Sequence, residues 1–192
     1  SGVLANGSVK NKTLLISGGA GAVGFYGIQI AKLAGANVIT TISNDEKAKI
    51  ANNAGADKII NYKNENVFEK IMEYTNNDGV DRIFEVEFGG NLSLNEKIIK
   101  PNGVIAAYGS MAKMEPKLPF YNLMFKGVKI DTFLIYSIEN KFREEILTGL
   151  SELLNQNSLK HMISKTYSID KIIDAHEAME SGSIVGNIVI EI

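Results

Sequence analysis

Cysteine is absent from the 192 residues, which also include only three prolines, two histidines and no tryptophan. The lack of cysteine excludes disulfide bonds, thiolate nucleophiles and thiolate zinc sites. The net charge of −2 gives no reason to expect nucleic acid or an anionic membrane as a partner. No apolar run approaches a membrane span, and no signal-peptide pattern stands at the amino end. We therefore expect a soluble, cytoplasmic protein.

Short β-branched segments alternate with helical patterns through most of the chain. Such alternation indicates right-handed βαβ crossovers and a parallel sheet covered on both faces. Ser43 and Glu46 fit a capping box at the start of the second helix, and Gly55 fits its end. Strands are predicted at 13–17, 38–42, 58–61, 80–86, 104–108 and 128–135, and helices at 67–74, 92–99 and 121–125.

The last part of the chain follows a different pattern. It predicts a helix at 142–154, an extended segment at 163–168, a helix at 170–179 and a terminal strand at 186–192. These pieces have no place in the strand order of the preceding sheet. We therefore divide the chain into a doubly wound nucleotide-binding domain, residues 1–138, and a tail, residues 139–192.

A glycine-rich loop follows the first predicted strand and reads Gly19-Ala20-Gly21-Ala22-Val23-Gly24, which is G-x-G-x-x-G at the start of a helix. Glycines permit the tight turn and let the backbone approach a pyrophosphate. The first N–H groups of the helix and its dipole favour an anion. The pattern is weak alone, but its place between strand and helix predicts a dinucleotide site on a Rossmann-type sheet.

The second strand bears on the choice of dinucleotide, because an NAD-preferring site usually has an acidic residue at its end. Here the strand ends at Ser43 without one. Lys47, one turn into the next helix, and Tyr62, after the third strand, could both reach a 2′-phosphate bound near Ser43. Asp45 and Glu46 would repel that phosphate and more simply complement the helix dipole, and Lys47 could instead be a solvated helix residue. We predict NADP(H) as the cofactor.

Five segments in order resemble the medium-chain dehydrogenase/reductase superfamily, and within it the zinc-independent NADPH:quinone oxidoreductases of the zeta-crystallin type. They are LLISGGAGAVGFYGIQIAK, AGADKIINYK, GVDRIFE, NGVIAAYGS and DAHEAMESG. The resemblance covers nearly the whole chain from about Gly7. It implies a GroES-like catalytic domain before the dinucleotide-binding domain, completed by the end of the chain. Because this sequence begins at Ser1 without such a domain, we expect a fragment whose tail belongs to the missing domain.

The resemblance also implies the cofactor contacts and the chemistry. The pyrophosphate loop would be Gly19, Gly21, Ala22, Val23 and Gly24, and the 2′-phosphate pocket Ser43, Lys47 and Tyr62. The bed of the nicotinamide ribose would be Tyr108, Gly109 and Ser110, and the backbone beside the carboxamide Phe133 and Leu134. Hydride would pass from NADPH to a quinone without a metal or a catalytic side chain, in an apolar cleft that places the reactants.

The sequence departs from the family pattern after the fourth strand. Many relatives have Asp-x-Val-Gly-Gly there, whereas this chain has Glu85-Val86-Glu87-Phe88-Gly89-Gly90. Glu85 and Glu87 would lie on one strand face, where they could share a proton or be solvated or bonded to the backbone. Two isolated histidines, His161 and His176, do not make a zinc site, so we predict no metal.

Three functional hypotheses remain open. The first is the NADPH-binding part of a quinone oxidoreductase, which would transfer hydride poorly alone. The second is an enoyl reductase acting on an enoyl thioester. The third is a non-catalytic nucleotide-binding module that serves association. In relatives the sixth strand pairs across a two-fold axis, so we expect a homodimer through strand 128–135.

Overall fold

The computed structural model describes residues 2–4, 6–181 and 184–192. Ser1, Ala5, Gly182 and Ser183 lie outside this description, and with them the last residue of the DAHEAMESG segment. The first six strands are β1 Thr13–Ile16, β2 Asn37–Ile42, β3 Lys58–Asn61, β4 Val80–Glu85, β5 Ile99–Ala107 and β6 Lys129–Thr132. The helices among them are α1 Ala22–Leu33, α2 Asp45–Ala54, α3 Val67–Tyr74, α4 Phe88–Ile98 and α5 Phe120–Phe125.

These strands form one parallel sheet in the order β3-β2-β1-β4-β5-β6. The predicted doubly wound fold is therefore confirmed. The strand order reverses between β1 and β4, so the crossovers leave toward opposite faces at that point. A crevice at the carboxyl ends of the strands follows from this reversal, and it is where such sheets bind ligands.

Each face of the sheet has its own apolar core. Leu14 and Ile16 of β1 belong to the cluster that also contains Phe25 of α1. Leu15, between them, points the other way and packs in the second cluster with Ile39 and its register partner Ile83. Because both faces are covered, β1 is apolar from Leu14 through Ile16 and shows no alternation with polar residues.

The buried face of α1 differs from the one that its sequence pattern predicts. The spacing of Val23, Ile30 and Leu33 predicts that they share one apolar face of the helix. In the structure Val23 is 50% exposed and Leu33 is 53% exposed. Phe25 and Ile28 are the large side chains that pack against the sheet instead.

Several element boundaries also differ. The capping box is wrong, because Asn44 and not Ser43 caps α2, its Oδ1 accepting from the Lys47 amide at 2.9 Å. The end of α2 at Gly55 is confirmed, with a left-handed φ of +100°. Helix α4 begins at Phe88, well before the predicted 92, and β5 begins at 99, before the predicted 104. Strand β6 covers only Lys129–Thr132 of the predicted 128–135.

The tail contains two helices and a second, two-stranded sheet. Helix α6 spans Asn140–Asn155, and none of its residues is buried against the described part of the chain. Strands β7, Ile163–Ser168, and β8, Asn187–Glu191, pair in parallel in a separate sheet, with α7, Ile172–Glu180, between them. As predicted, neither strand joins the main sheet.

Hydrogen bonds attach the tail to α1 through the segment between α6 and β7. The Tyr26 hydroxyl lies 2.9 Å from His161 Nδ1. Gln29 Oε1 accepts from the Lys160 amide at 2.7 Å, and its Nε2 donates to the Lys160 carbonyl at 3.2 Å. These contacts fix the segment before β7 against the body of α1.

Candidate dinucleotide site

A cavity of about 530 Å³, called here the first cavity, opens above the glycine loop at the ends of β1 and β2. It brings together predicted residues from four separate parts of the chain. Those that line it are Gly21, Ala22, Val23, Gly24, Ser43, Lys47, Tyr62 and Tyr108. The proposed pyrophosphate loop and the proposed 2′-phosphate pocket therefore face one connected space.

Gly19 has a different position from the other loop glycines. It is buried beneath the cavity lining, and a Cβ there would lie 2.1 Å from Thr40 Oγ1 and 2.9 Å from Ile28 Cδ1. The residue therefore allows close packing between the loop, β2 and α1. Its contribution to the site is indirect, through the path of the loop.

Among the described residues, no group accepts a hydrogen bond from the first main-chain amides of α1. Gly21 is its N-cap residue and supplies no side-chain cap, and the first turn carries no acidic side chain. The first intrahelical bond runs from the Phe25 amide to the Gly21 carbonyl at 2.8 Å, so the amides of residues 22–24 precede it. The geometry fits an anion, because free amides and the helix dipole act together.

Two side chains give the far end of the first cavity a cationic, hydrogen-bonding character. Lys47 lies in the first turn of α2, and Tyr62 follows β3, where its amide donates to the Ile42 carbonyl at 3.1 Å. No ion pair joins Lys47 to an acid within residues 2–4, 6–181 and 184–192. Its charge is therefore available to a ligand.

The tail also contributes to the first cavity, which sequence reasoning missed. The lining includes Met179 of α7 and residues 184–187, which lead into β8. These residues lie far from the glycine loop in sequence. No local pattern places them there, because only the fold of the tail across the strand ends does so.

A second cavity of about 610 Å³ adjoins the first. The remaining predicted residues, Gly109, Ser110, Phe133 and Leu134, line it, and Tyr108 lines both cavities. The Tyr108 ring contacts Phe84 and Phe133, with ring centroids 4.8 and 5.9 Å away. Burial, and next the charge of Glu85, raise the pKa of the Tyr108 phenol to about 12, so the hydroxyl keeps its proton at neutral pH.

Glu85 is fully buried beneath this junction. Its Oε2 accepts from Ser17 Oγ at 3.1 Å and from Asn95 Nδ2 at 2.7 Å, and its Oε1 accepts from Asn91 Nδ2 at 3.0 Å and from the Glu87 amide at 2.8 Å. The carboxyl group thus joins the end of β1, the end of β4 and two turns of α4.

The hydrogen-bond donors to Glu87 differ from those to Glu85. Glu87 caps α4 by accepting from the Gly90 amide at 3.2 Å, and its second oxygen accepts from the Ala112 amide at 2.8 Å. The Ala112 amide is the main cause that lowers the pKa of the Glu87 carboxyl below its ordinary value. The idea of a proton shared by the two acids is wrong, because each carboxyl group has its own donors.

In the described part of the chain, no three His, Cys, Asp or Glu side chains are grouped closely enough to hold a metal ion. No helix within that part combines the length and apolarity required to cross a membrane.

Comparison with known proteins gives the family. Residues 22–153 match the family described as "Zinc-binding dehydrogenase", and the chain belongs to it. Despite that description, the described residues present no ligand group for zinc. The predicted resemblance to the medium-chain dehydrogenase/reductase superfamily is confirmed at this level.

The individual relatives that the chain resembles include quinone oxidoreductases and another reductase. The chain is 27% identical to human quinone oxidoreductase over 174 residues, which are 90% of this chain and 52% of that protein. It is 29% identical to 2-haloacrylate reductase of a Burkholderia species over 183 residues, covering 92% and 54% of the two chains. The Escherichia coli quinone oxidoreductase solved with NADPH has a TM-score of 0.82 at 23% identity, with 97% of this chain and 59% of that chain covered. The chain thus spans about half the length of the curated relatives that it matches.

Proposed function

We propose that this chain is the NADP(H)-binding part of an oxidoreductase that passes hydride from NADPH to a quinone. One observation carries the proposal: a single cavity joins the free amides of α1 to Lys47 and Tyr62, and β2 ends without an acidic residue. An acid at that place would favour the unphosphorylated ribose. The names of the relatives support the same class of reaction.

The two cavities bind different parts of the cofactor. The amides of residues 22–24 bind the pyrophosphate, and Lys47 and Tyr62 bind the 2′-phosphate. The neutral Tyr108 hydroxyl, at the junction of the cavities, donates to the nicotinamide ribose. Phe133 and Leu134 give the second cavity an apolar wall, against which the nicotinamide and the acceptor are placed. NADPH, when bound, supplies the hydride, and a quinone takes up this hydride and one proton from solvent to become a hydroquinone.

Removal of the Lys47 ammonium tests this assignment. We expect the unsubstituted chain to bind NADPH at least about tenfold more tightly than NADH, since a hydrogen bond between charged groups contributes about 1.5–3 kcal/mol. Lys47→Ala should remove most of this preference and leave the NADH affinity unchanged. The measurement is a fluorescence titration with each nucleotide, with Lys49→Ala, an exposed lysine of the same helix, as the matched control. Equal or absent binding of the two nucleotides by the unsubstituted chain would refute the pocket assignment.

An activated alkene is the second candidate acceptor. The 29% identity to a protein named 2-haloacrylate reductase favours it, because an acrylate carries a carbon–carbon double bond. The enoyl thioester hypothesis belongs to this class. Turnover of a quinone against an enoyl thioester by the full-length protein distinguishes the two, and nucleotide binding without either turnover would support the non-catalytic module instead.

The tail and the sheet edge carry two further parts of the proposal. The exposed α6 and the separate β7-β8 sheet support the assignment of residues 139–192 to a GroES-like domain.

Strand β6 is the edge of the main sheet, and we propose that residues 128–135 pair with a second copy, although the strand is shorter than predicted. Light scattering at high concentration is expected to give a dimer, and a monomer would exclude this arrangement.

A further inference from the structure

The segment 109–113, which follows β5, lies directly on the first turn of α4. The Phe88 amide donates to the Gly109 carbonyl at 2.8 Å, and the Gly89 amide donates to Ser110 Oγ at 2.9 Å. Ser110 Oγ in turn donates to the Lys113 carbonyl at 2.6 Å. The segment is therefore attached to the helix by main-chain and hydroxyl contacts along its length.

Two glycines bring the backbones of these elements into contact. A Cβ on Gly89 would lie 2.0 Å from the Lys113 carbonyl oxygen, and a Cβ on Gly109 would lie 2.4 Å from the Val86 carbonyl oxygen. Both obstacles are backbone atoms, which cannot rotate away. The close packing shows that the segment has one defined position against α4.

Glu87 is the only ionised side chain that reaches this segment among the hydrogen bonds of the described residues. It holds the Gly90 amide of α4 with one oxygen and the Ala112 amide of the segment with the other. A carboxylate that bridges two amides gives charge-assisted bonds, which are stronger than bonds between neutral groups. Its lowered pKa keeps it ionised at neutral pH.

The same segment forms part of the wall of the second cavity. Gly109 and Ser110 line that cavity, and Met114 and Pro116 continue the wall directly after the residues held by Glu87. Neither Glu87 nor Ala112 lines the second cavity. Glu87 therefore forms no part of the second cavity's wall. Its loss would act on that cavity only by shifting segment 109–113 and so changing the cavity's shape.

We propose that Glu87 is a positioning residue that fixes segment 109–113 and thereby the nicotinamide end of the site, separately from the adenosine end. The inference rests on the proposed function, because it needs a nicotinamide nucleotide to occupy both cavities. The adenosine end is held by Lys47 and Tyr62, on elements that Glu87 does not touch through a hydrogen bond. Loss of Glu87 should therefore affect the two halves of the cofactor differently.

The test compares a whole cofactor with half of one. We expect Glu87→Ala to weaken NADPH binding about tenfold, the effect of losing a hydrogen bond to a charged group, with unchanged affinity for adenosine 2′,5′-bisphosphate. Calorimetric titration of the purified chain measures both affinities. Glu115→Ala is the matched control, since Glu115 is an exposed acid two residues beyond the segment and should leave both affinities unchanged.

The outcomes are separable. An equal loss for both ligands would mean a general structural defect, and no loss for either would mean that the segment holds its place without Glu87; both results overturn the inference. Glu87→Gln should give an intermediate loss for NADPH alone, because the amide oxygen can still accept from Ala112. Failure of the unsubstituted chain to bind either ligand would instead overturn the proposed function.

Discussion

Gly24→Ala is expected to weaken NADPH binding about 100-fold or more, because misplacing a binding group by about 1 Å can reduce function to this extent. A Cβ at Gly24 would lie 2.2 Å from the Gly18 carbonyl oxygen and 2.9 Å from Gly19 Cα. Both neighbours are backbone, so relief requires α1 to move away from the loop. That movement displaces the amides of residues 22–24 on which the anion site depends.

The control for this substitution is another helical glycine. Gly149 lies in α6, and a Cβ there would meet no atom within 4 Å. Gly149→Ala should leave NADPH binding unchanged and stabilise the chain by about 0.5–1 kcal/mol, as expected for alanine in a helix. Normal NADPH affinity in Gly24→Ala, measured by the same fluorescence titration, would show that the packing of α1 on the loop does not form the site.

Glu85→Ala is expected to lower the free energy of unfolding by about 3–5 kcal/mol, because several donors lose one acceptor and each unsatisfied buried donor costs about 1–3 kcal/mol. The substitution leaves the donors of Ser17, Asn91 and Asn95 without their acceptor in the interior. An unsatisfied buried donor is unfavourable, and here three side chains and one amide lose their partner together. Urea unfolding followed by circular dichroism measures the change.

A milder variant separates the hydrogen bonds from the loss of volume. Glu85→Gln keeps the size of the side chain but places an amide NH2 opposite donors. Asn95 Oδ1 has no hydrogen-bond partner among the described residues. The Asn95 amide can therefore rotate by half a turn, so that its Oδ1 accepts from the new NH2. We therefore expect a smaller loss for Glu85→Gln than for Glu85→Ala, and almost none for the exposed Glu115→Ala. Equal stability of Glu85→Ala and the unsubstituted chain would contradict the role given to the buried cluster.

Local patterns in the sequence predicted much of the fold. The bounds of β3 and α3 are those expected, and Gly55 ends α2 as expected. These features depend on hydrophobic period and on glycine or asparagine at the junctions, which act over a few residues. The glycine loop was also visible for this reason, since its spacing and its place after a strand are local.

The sequence predictions of element boundaries fail where a contact with a distant segment, or a different local hydrogen bond, determines where the element begins or ends. Ser43 was expected to cap α2 through the Glu46 amide. The helix instead begins one residue later, and Asn44 caps it by accepting from the Lys47 amide. Helix α4 starts early because Glu87 caps it, although an isolated glutamate before two glycines does not mark a helix start. Strand β6 ends early, and a 3₁₀ turn at Ile135–Ser137 begins at its predicted last residue.

The same distinction applies to the site, where residues in local motifs could be predicted from the sequence and residues placed by contacts between distant segments could not. The residues of the first cavity came from a motif and from strand ends, both of which are local. The tail residues 184–187 and the bridge from Glu87 to Ala112 depend on contacts between segments far apart in sequence. A single sequence carries no signal for such contacts.

Backbone amide NMR of the isotopically labelled chain during an NADPH titration tests the central claim most directly. The largest shifts should appear at the amides of residues 22–24 and at Lys47, with small shifts in α6. The same titration with NADH should retain the shifts at 22–24 and lose those at Lys47. Shifts absent from residues 22–24, or no larger there than in α6, would contradict an account in which the start of α1 binds the diphosphate.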